Sequence, residues 1–244
     1  MPLAGKSVVV TGGAVGFGRY VALGCAERGA NVTIADIDAE ALEEVASQAG
    51  VHGHGVVARR TDVREEDQVS ALMKAAVASF GGIDYLVNNA AIVPHFQWGV
   101  PHWPRVRDMD YEFWSKVCTT NIDGVMLCTK HALATMESQR SGHIVNLYGG
   151  AQTSPPGGLA YMMTKDAVRT FTRFVAEEVR EFNVCVLCMA PGVTFAHERA
   201  PQEVRDRMPG PEGSGDRFFL AIDAPMELSG QLVTLGEGEL VART

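Results

Sequence analysis

Thr11-Gly12-Gly13-Ala14-Val15-Gly16-Phe17-Gly18 is the stretch on which the reading of this chain turns. It follows residues 6–11, a β-branched run that reads as a strand, and it opens residues 16–28, whose apolar spacing reads as a helix closed by Gly29. Glycines at a strand-to-helix turn allow a tight bend and let backbone amides approach a pyrophosphate, while the helix N-terminus supplies partial positive charge. A glycine-rich turn without a ligand is common when the pattern stands alone. A strand before it and a helix after it favour a dinucleotide site. The spacing is GxxxGxG, which departs from the GxGxxG of other dinucleotide folds.

The alternation continues outward from that turn. Residues 31–35 read as the next strand and 39–48 as the next helix. Residues 55–59, 65–80, 83–87, 111–138, 143–147, 159–182 and 184–189 extend the series, and 231–235 read as the final strand. A βαβα rhythm predicts an α/β fold, a Rossmann-like doubly wound parallel sheet, with residues 1–244 as a single domain. Neither a repeat nor a linker divides the chain. Two stretches break the rhythm, near residues 94–108 (PHFQWGVPHWPRVRD) and near 194–228, which begins TFAHERAPQEVRDRMPGPEGSG. Both follow strands at their carboxyl ends, where open α/β sheets bind ligands, so they are candidate substrate walls or lids.

Composition narrows the function classes. At 244 residues and 46% apolar content, the chain has the size and make-up of one globular α/β domain. No apolar run is long enough to span a bilayer, and Met1-Pro2-Leu3-Ala4-Gly5-Lys6 lacks a signal-peptide core, so no membrane partner is expected. A formal charge of −8 argues against nucleic acid. Cys185 and Cys188 form a CxxC, but inside an apolar strand an offset of three points the thiols to opposite faces. Buried reduced thiols fit a cytoplasmic protein. His52, His54, His131 and His143 have no ligand spacing, and no metal site is expected.

Asp36 ends the second strand, eighteen residues after Gly18. A carboxylate there accepts hydrogen bonds from both ribose hydroxyls and repels a 2′-phosphate, which favours NAD over NADP. Asp36 competes with Asp38 for the role of N-cap to the following helix, and Asp38 suits it at least as well. Asp62-Val63 ends the third strand, where it is a candidate to flank the adenine, and Asn88-Asn89-Ala90-Ala91 ends the fourth, as a candidate lining of the cofactor channel. Tyr161-Met162-Met163-Thr164-Lys165 opens a long helix. Residues i and i+4 share a helix face, so the phenol and ammonium converge, and a nearby cation lowers the phenol pKa toward the range useful for proton transfer. YxxxK alone is weak evidence, because an exposed Lys and a packed Tyr on a helix are frequent.

TGGAVGFG, Asp36, Asp62-Val63, NNAA, Asn121, YMMTK and Pro191-Gly192-Val193-Thr194 occur in order, and together they resemble the short-chain dehydrogenase/reductase family over nearly the whole chain. The resemblance implies Tyr161 as general acid/base, Lys165 on the nicotinamide ribose, and Asn121 supporting a proton relay through water. It also implies cofactor contacts from Thr11, Gly12, Val15, Gly16, Phe17 and Gly18 on the first turn. Asp36, Ile37, Asp62, Val63, Asn89 and Ala90 carry these contacts on, and Pro191, Val193 and Thr194 complete them. A homodimer or homotetramer is implied as well.

One part of the family pattern is missing. A Ser normally ends the fifth strand and hydrogen-bonds the substrate oxygen. Aligned on Ile144-Val145-Asn146, its position holds Gly149, whereas counting thirteen residues back from Tyr161 gives Tyr148. The strand alignment is the better guide, since loops absorb deletions more readily than sheets. Loss of one preorganised donor typically slows a reaction on the order of 10²–10³-fold. Tyr148 and Ser154, with Thr153 beside it, are the candidate substitute donors.

His95, Phe96, Trp98, His102 and Trp103 suit a flat or cyclic substrate, although the same cluster fits an interface. Arg105 and Arg107 read as surface charge, and His197, Glu198 and Arg199 as lid candidates. The expected function is NAD-dependent interconversion of a secondary alcohol and a ketone on a cyclic or aromatic substrate. The alternatives are an NAD(H)-binding sensor or scaffold that has lost catalysis, supported by the missing Ser, and a lyase or isomerase on the same fold.

Overall fold

The structure is a computed structural model that describes residues 3–93, 103–149, 156–191, 196–214, 217–236 and 238–243. Its first alternation comprises β1 (Ser7–Thr11), α1 (Gly16–Glu27), β2 (Asn31–Asp36), α2 (Ala39–Gly50), β3 (Val56–Arg60) and α3 (Glu66–Phe80). The second comprises β4 (Tyr85–Asn88), α4 (Tyr111–Cys118), α5 (Gly124–Gln139), β5 (Gly142–Leu147), α6 (Leu159–Glu178) and β6 (Val184–Ala190). The short helices α7 (Gln202–Arg205) and α8 (Arg217–Ile222) precede β7 (Leu232–Leu235) and β8 (Leu240–Arg243).

The strands form one sheet in the order β3-β2-β1-β4-β5-β6-β7-β8. Seven are parallel, and β8 runs antiparallel to β7. The interior strands are continuous apolar runs because both faces are covered by helices. Alternate residues go to opposite sides: Val8 and Val10 of β1 join α1, α2 and α8, while Val9 joins α3 and α5. Cys185 and Cys188 follow the same rule, buried as free thiols in separate clusters on the two faces. Strand order reverses between β1 and β4, which opens a crevice at the carboxyl ends of these strands. No helix among the described residues is long and apolar enough to cross a membrane.

Three elements differ from expectation. The helix expected over 111–138 is α4 and α5 joined by a π-helical turn (Thr119–Asp123), in which the Gly124 N–H reaches the Thr119 carbonyl. One extra residue per turn leaves the composition unchanged, so periodicity passes over it. The helix expected to run to residue 182 stops at Glu178 and continues as a 3-10 turn over Arg180–Phe182. Strand β8 was not expected; it is an edge strand with mostly exposed residues and little apolar patterning.

Candidate functional site

The glycine-rich turn leaves β1 directly against the residues that follow β4. Gly12 has φ +62°, and a Cβ there would lie 2.7 Å from Ala90 Cα. A Cβ on Gly18 would overlap the Gly12 carbonyl oxygen, so α1 can close onto the turn only with glycine at this position. Asn89 fastens the two strands: its Nδ2 donates to the carbonyls of Thr11 (3.1 Å) and Gly12 (2.8 Å). Thr11 Oγ1 accepts the N–H groups of Asn89 and Ala90, each at 3.2 Å. The result is a backbone cradle at the N-terminus of a 12-residue helix, and such a cradle fits a dinucleotide diphosphate.

At the end of β2 the two aspartates divide their work. Asp38 caps α2 by accepting the Ala41 N–H at 3.0 Å. Asp36 turns toward the glycine turn, where Oδ2 accepts the Ala14 N–H (3.0 Å) and Oδ1 the Asp38 N–H (3.1 Å). Ile37 is exposed beside it. After β3, Arg64 embraces the Asp62 carboxylate and holds it below the usual carboxylate range. Val63 is buried against Gly124.

Asn88 does not line the channel. Its side chain turns inward, donating to Asn146 Oδ1 (2.8 Å) and Thr129 Oγ1 (3.1 Å), and Asn146 passes the chain on to Thr172 (2.9 Å). This buried polar bridge joins β4, β5, α5 and α6 beneath the crevice. Its mark in the sequence is an Asn within the last two positions of each of two apolar strands.

Tyr161 and Lys165 lie on the first turns of α6, facing the end of β5. Lys165 is buried; its Nζ donates to the Leu147 carbonyl at 2.8 Å and stands 5.7 Å from the centre of the Tyr161 ring. Burial lowers this ammonium to about 8. Burial also pushes the Tyr161 phenol well above its ordinary range, with the neighbouring Tyr148 adding to the shift. The expected lowering of the phenol by Lys165 is not found: burial and Tyr148 both raise it, and desolvation penalises the charged form of both groups. Part of that burial comes from Trp103, whose ring meets Tyr161 edge-on at 6.5 Å and Phe113 at 5.0 Å.

Gly149 is the residue that the alignment on Ile144-Val145-Asn146 sets against the family's Ser. A Cβ on it would overlap Tyr161 Oη, so the phenol fills the space that a side chain there would need. The Tyr148 hydroxyl is engaged elsewhere, donating to Asp166 Oδ1 at 2.9 Å. Asn121 is buried in the π-helical turn. Its Oδ1 accepts the Ile92 N–H (2.7 Å), and Nδ2 donates to the Ile92 carbonyl and to Thr164 Oγ1 (both 3.1 Å). Thr164 lies between Tyr161 and Lys165, so Asn121 ties the reacting turn of α6 to the loop after β4.

The region after β6 adds contacts that local patterning did not announce. Glu198 accepts the Gly16 N–H with both carboxylate oxygens (2.9 and 3.2 Å), His197 covers Gly16, and Arg199 pairs with Asp38. Pro191 follows β6 directly. Val193 and Thr194, together with Thr153 and Ser154, lie outside the described residues, as do His95, Phe96, Trp98 and His102. Among the described residues, no three His, Cys, Asp or Glu side chains are grouped to hold a metal.

The profile of the short chain dehydrogenase family matches residues 6–204. The chain is 35% identical to the cis-4-hydroxycyclohexanecarboxylate dehydrogenase of Sinomonas cyclohexanicum, and the alignment covers 96% of each chain. It is 30% identical, again over 96% of each chain, to a hydroxy(phenyl)methylsuccinyl-CoA dehydrogenase subunit of Thauera aromatica. A short-chain type dehydrogenase/reductase from Mycobacterium marinum matches the fold with a TM-score of 0.83 at 28% identity, over 97% of this chain and 96% of its own.

Proposed function

The chain belongs to the short-chain dehydrogenase family, and on that premise we propose that it is an NAD-dependent dehydrogenase interconverting a secondary alcohol and a ketone on a cyclic or aromatic substrate. Family membership itself carries the coarser statement, an oxidoreductase that binds a nicotinamide cofactor and acts on a small molecule.

The observation that carries the reading is the pairing of a half-buried Tyr161 with a buried Lys165 beside Trp103. In oxidation Tyr161 Oη takes the proton of the substrate hydroxyl, and in reduction it returns it. Lys165 spends one of its three N–H donors on the Leu147 carbonyl, which leaves two for the ribose. The bound nicotinamide supplies the hydride acceptor. Both amide hydrogens of Asn121 are committed, so we assign it a positioning role, fixing the turn of α6 that carries Tyr161.

Asp36 supports NAD. Two backbone N–H groups orient its carboxylate at the end of β2, where it accepts from a ribose and repels a 2′-phosphate. Trp103 and Phe113 offer an apolar edge for a ring. The names of the Sinomonas and Thauera relatives describe a hydroxylated ring and a hydroxyl beside a phenyl group, in keeping with that choice. Tyr148 and Ser154 stay the proposed substitute donors to the substrate oxygen, and Tyr148 must first leave Asp166. A homodimer or homotetramer is in keeping with exposed Leu159 and Phe174 on α6 and Met126 on α5.

Tyr161→Phe tests the assignment. It is expected to lower turnover by about 10²–10⁴-fold while NADH binding, followed by fluorescence, stays within twofold or so. Wild-type turnover by this variant would refute the acid/base role. A second reading, an NAD(H)-binding sensor without turnover, is favoured by one observation: Gly149 offers no donor where the family carries one.

A further inference from the structure

The segment described from Ala196 onward has a small core of its own. Ala196, Ala200 and Val204 pack together with Met208, apart from the large clusters on either face of the sheet. The Ala196 N–H donates to the Pro209 carbonyl at 2.8 Å, which closes the segment on itself. Its hold on the nucleotide turn is largely polar, through Glu198 to the Gly16 N–H and Arg199 to Asp38. The Arg199–Asp38 pair is partly exposed, and such pairs hold weakly. A unit with a separate core and polar attachments opens more easily than the body it rests on.

The start of α1 needs an acceptor from elsewhere. Val15 at its N-cap provides no side-chain acceptor, and the first turn contains no acidic residue. At α2, by contrast, Asp38 and Glu40 fill both roles locally. The orphan N–H at Gly16 is instead taken by a carboxylate 182 residues away in the chain.

Resting on the assignment of this turn to a dinucleotide diphosphate, we propose that Glu198 is a competitor built into the chain. Its carboxylate holds the anion seat at the N-terminus of α1, and the cofactor binds by displacing it. Two anions cannot share one N–H donor and one helix terminus, since both the hydrogen bond and the favourable potential serve a single negative group. The fraction of molecules with Glu198 withdrawn therefore scales the apparent affinity for the cofactor. Release of the spent cofactor is assisted by the same carboxylate returning to Gly16.

NADH titration, read by nicotinamide fluorescence, tests this on the wild type, Glu198→Gln, Glu198→Ala and Glu203→Gln. Glu203 lies exposed on α7 in the same segment and reports on charge alone. Both Glu198 variants are expected to bind NADH roughly tenfold more tightly, with Glu203→Gln at the wild-type value. Equal or weaker binding by the Glu198 variants overturns the proposal, as does equal tightening by Glu203→Gln. Binding of NADH by none of the four proteins overturns the dinucleotide assignment beneath it, so the two failures are read apart.

Discussion

No side chain fits between residue 149 and the Tyr161 hydroxyl, because a Cβ on Gly149 would overlap Oη. Replacing Gly149 with the family's serine is therefore expected to displace the phenol instead of adding a second donor. A shift of about 1 Å in a reacting group costs on the order of 10²-fold in rate, and Gly149→Ser is predicted to lose that much in kcat with NADH affinity unchanged. A rise in kcat would contradict the geometry. At this scale the sequence was partly legible. Tyr161 and Lys165 are recognisable from their i,i+4 spacing, and Asp38 is the N-cap of α2 that the sequence offered, while Asp36 turns to the Ala14 N–H. The electrostatic environment of Tyr161 was not legible. Burial sets it, and that burial is assembled in part from Trp103, which is far away in sequence.

Helix α5 begins where a π-helical turn ends, and that turn carries Asn121 inward. The Asn121 amide is the partner of both backbone groups of Ile92 and of Thr164. Asn121→Ala leaves the part-buried N–H and carbonyl of Ile92 without this partner, a loss of about 1–3 kcal/mol. Urea unfolding measures it, and a change under about 0.5 kcal/mol would show that the bridge is not needed. The interior strands were readable because burial on both faces forces unbroken apolar runs, as in Val184–Ala190. The π-helical turn and β8 were not, since the first alters register without altering composition and the second is an exposed edge.

Across the whole molecule, the alternating pattern was enough to anticipate a parallel sheet with its crevice at a reversal of strand order. It did not anticipate Glu198 on Gly16, a contact made by folding the late part of the chain back over the first turn. The sheet also buries an ionisable group with consequences for the entire fold. His143 lies within β5, its Nε2 has no hydrogen-bond partner among the described residues, and burial lowers its pKa to about 4. The unfolded chain protonates this imidazole near 6.5, whereas the folded protein resists until about 4. Its contribution is thus intact above about pH 6.5 and is lost progressively as pH falls toward 4. The span corresponds to roughly 3 kcal/mol. Thermal melts between these limits are predicted to show a falling midpoint in the wild type and a flatter profile in His143→Gln; parallel profiles would contradict the assignment.

The central claim, an NAD-dependent alcohol dehydrogenase, is tested most directly by following NADH or NADPH formation with cyclic and aromatic secondary alcohols. Each alcohol is supplied with NAD and, separately, with NADP. Turnover is expected on at least one ring alcohol, with NAD preferred by at least about tenfold in kcat/KM, the scale of one charge repulsion at Asp36. Preference for NADP would contradict the role given to Asp36, and tight NADH binding without turnover on any alcohol would contradict the dehydrogenase itself.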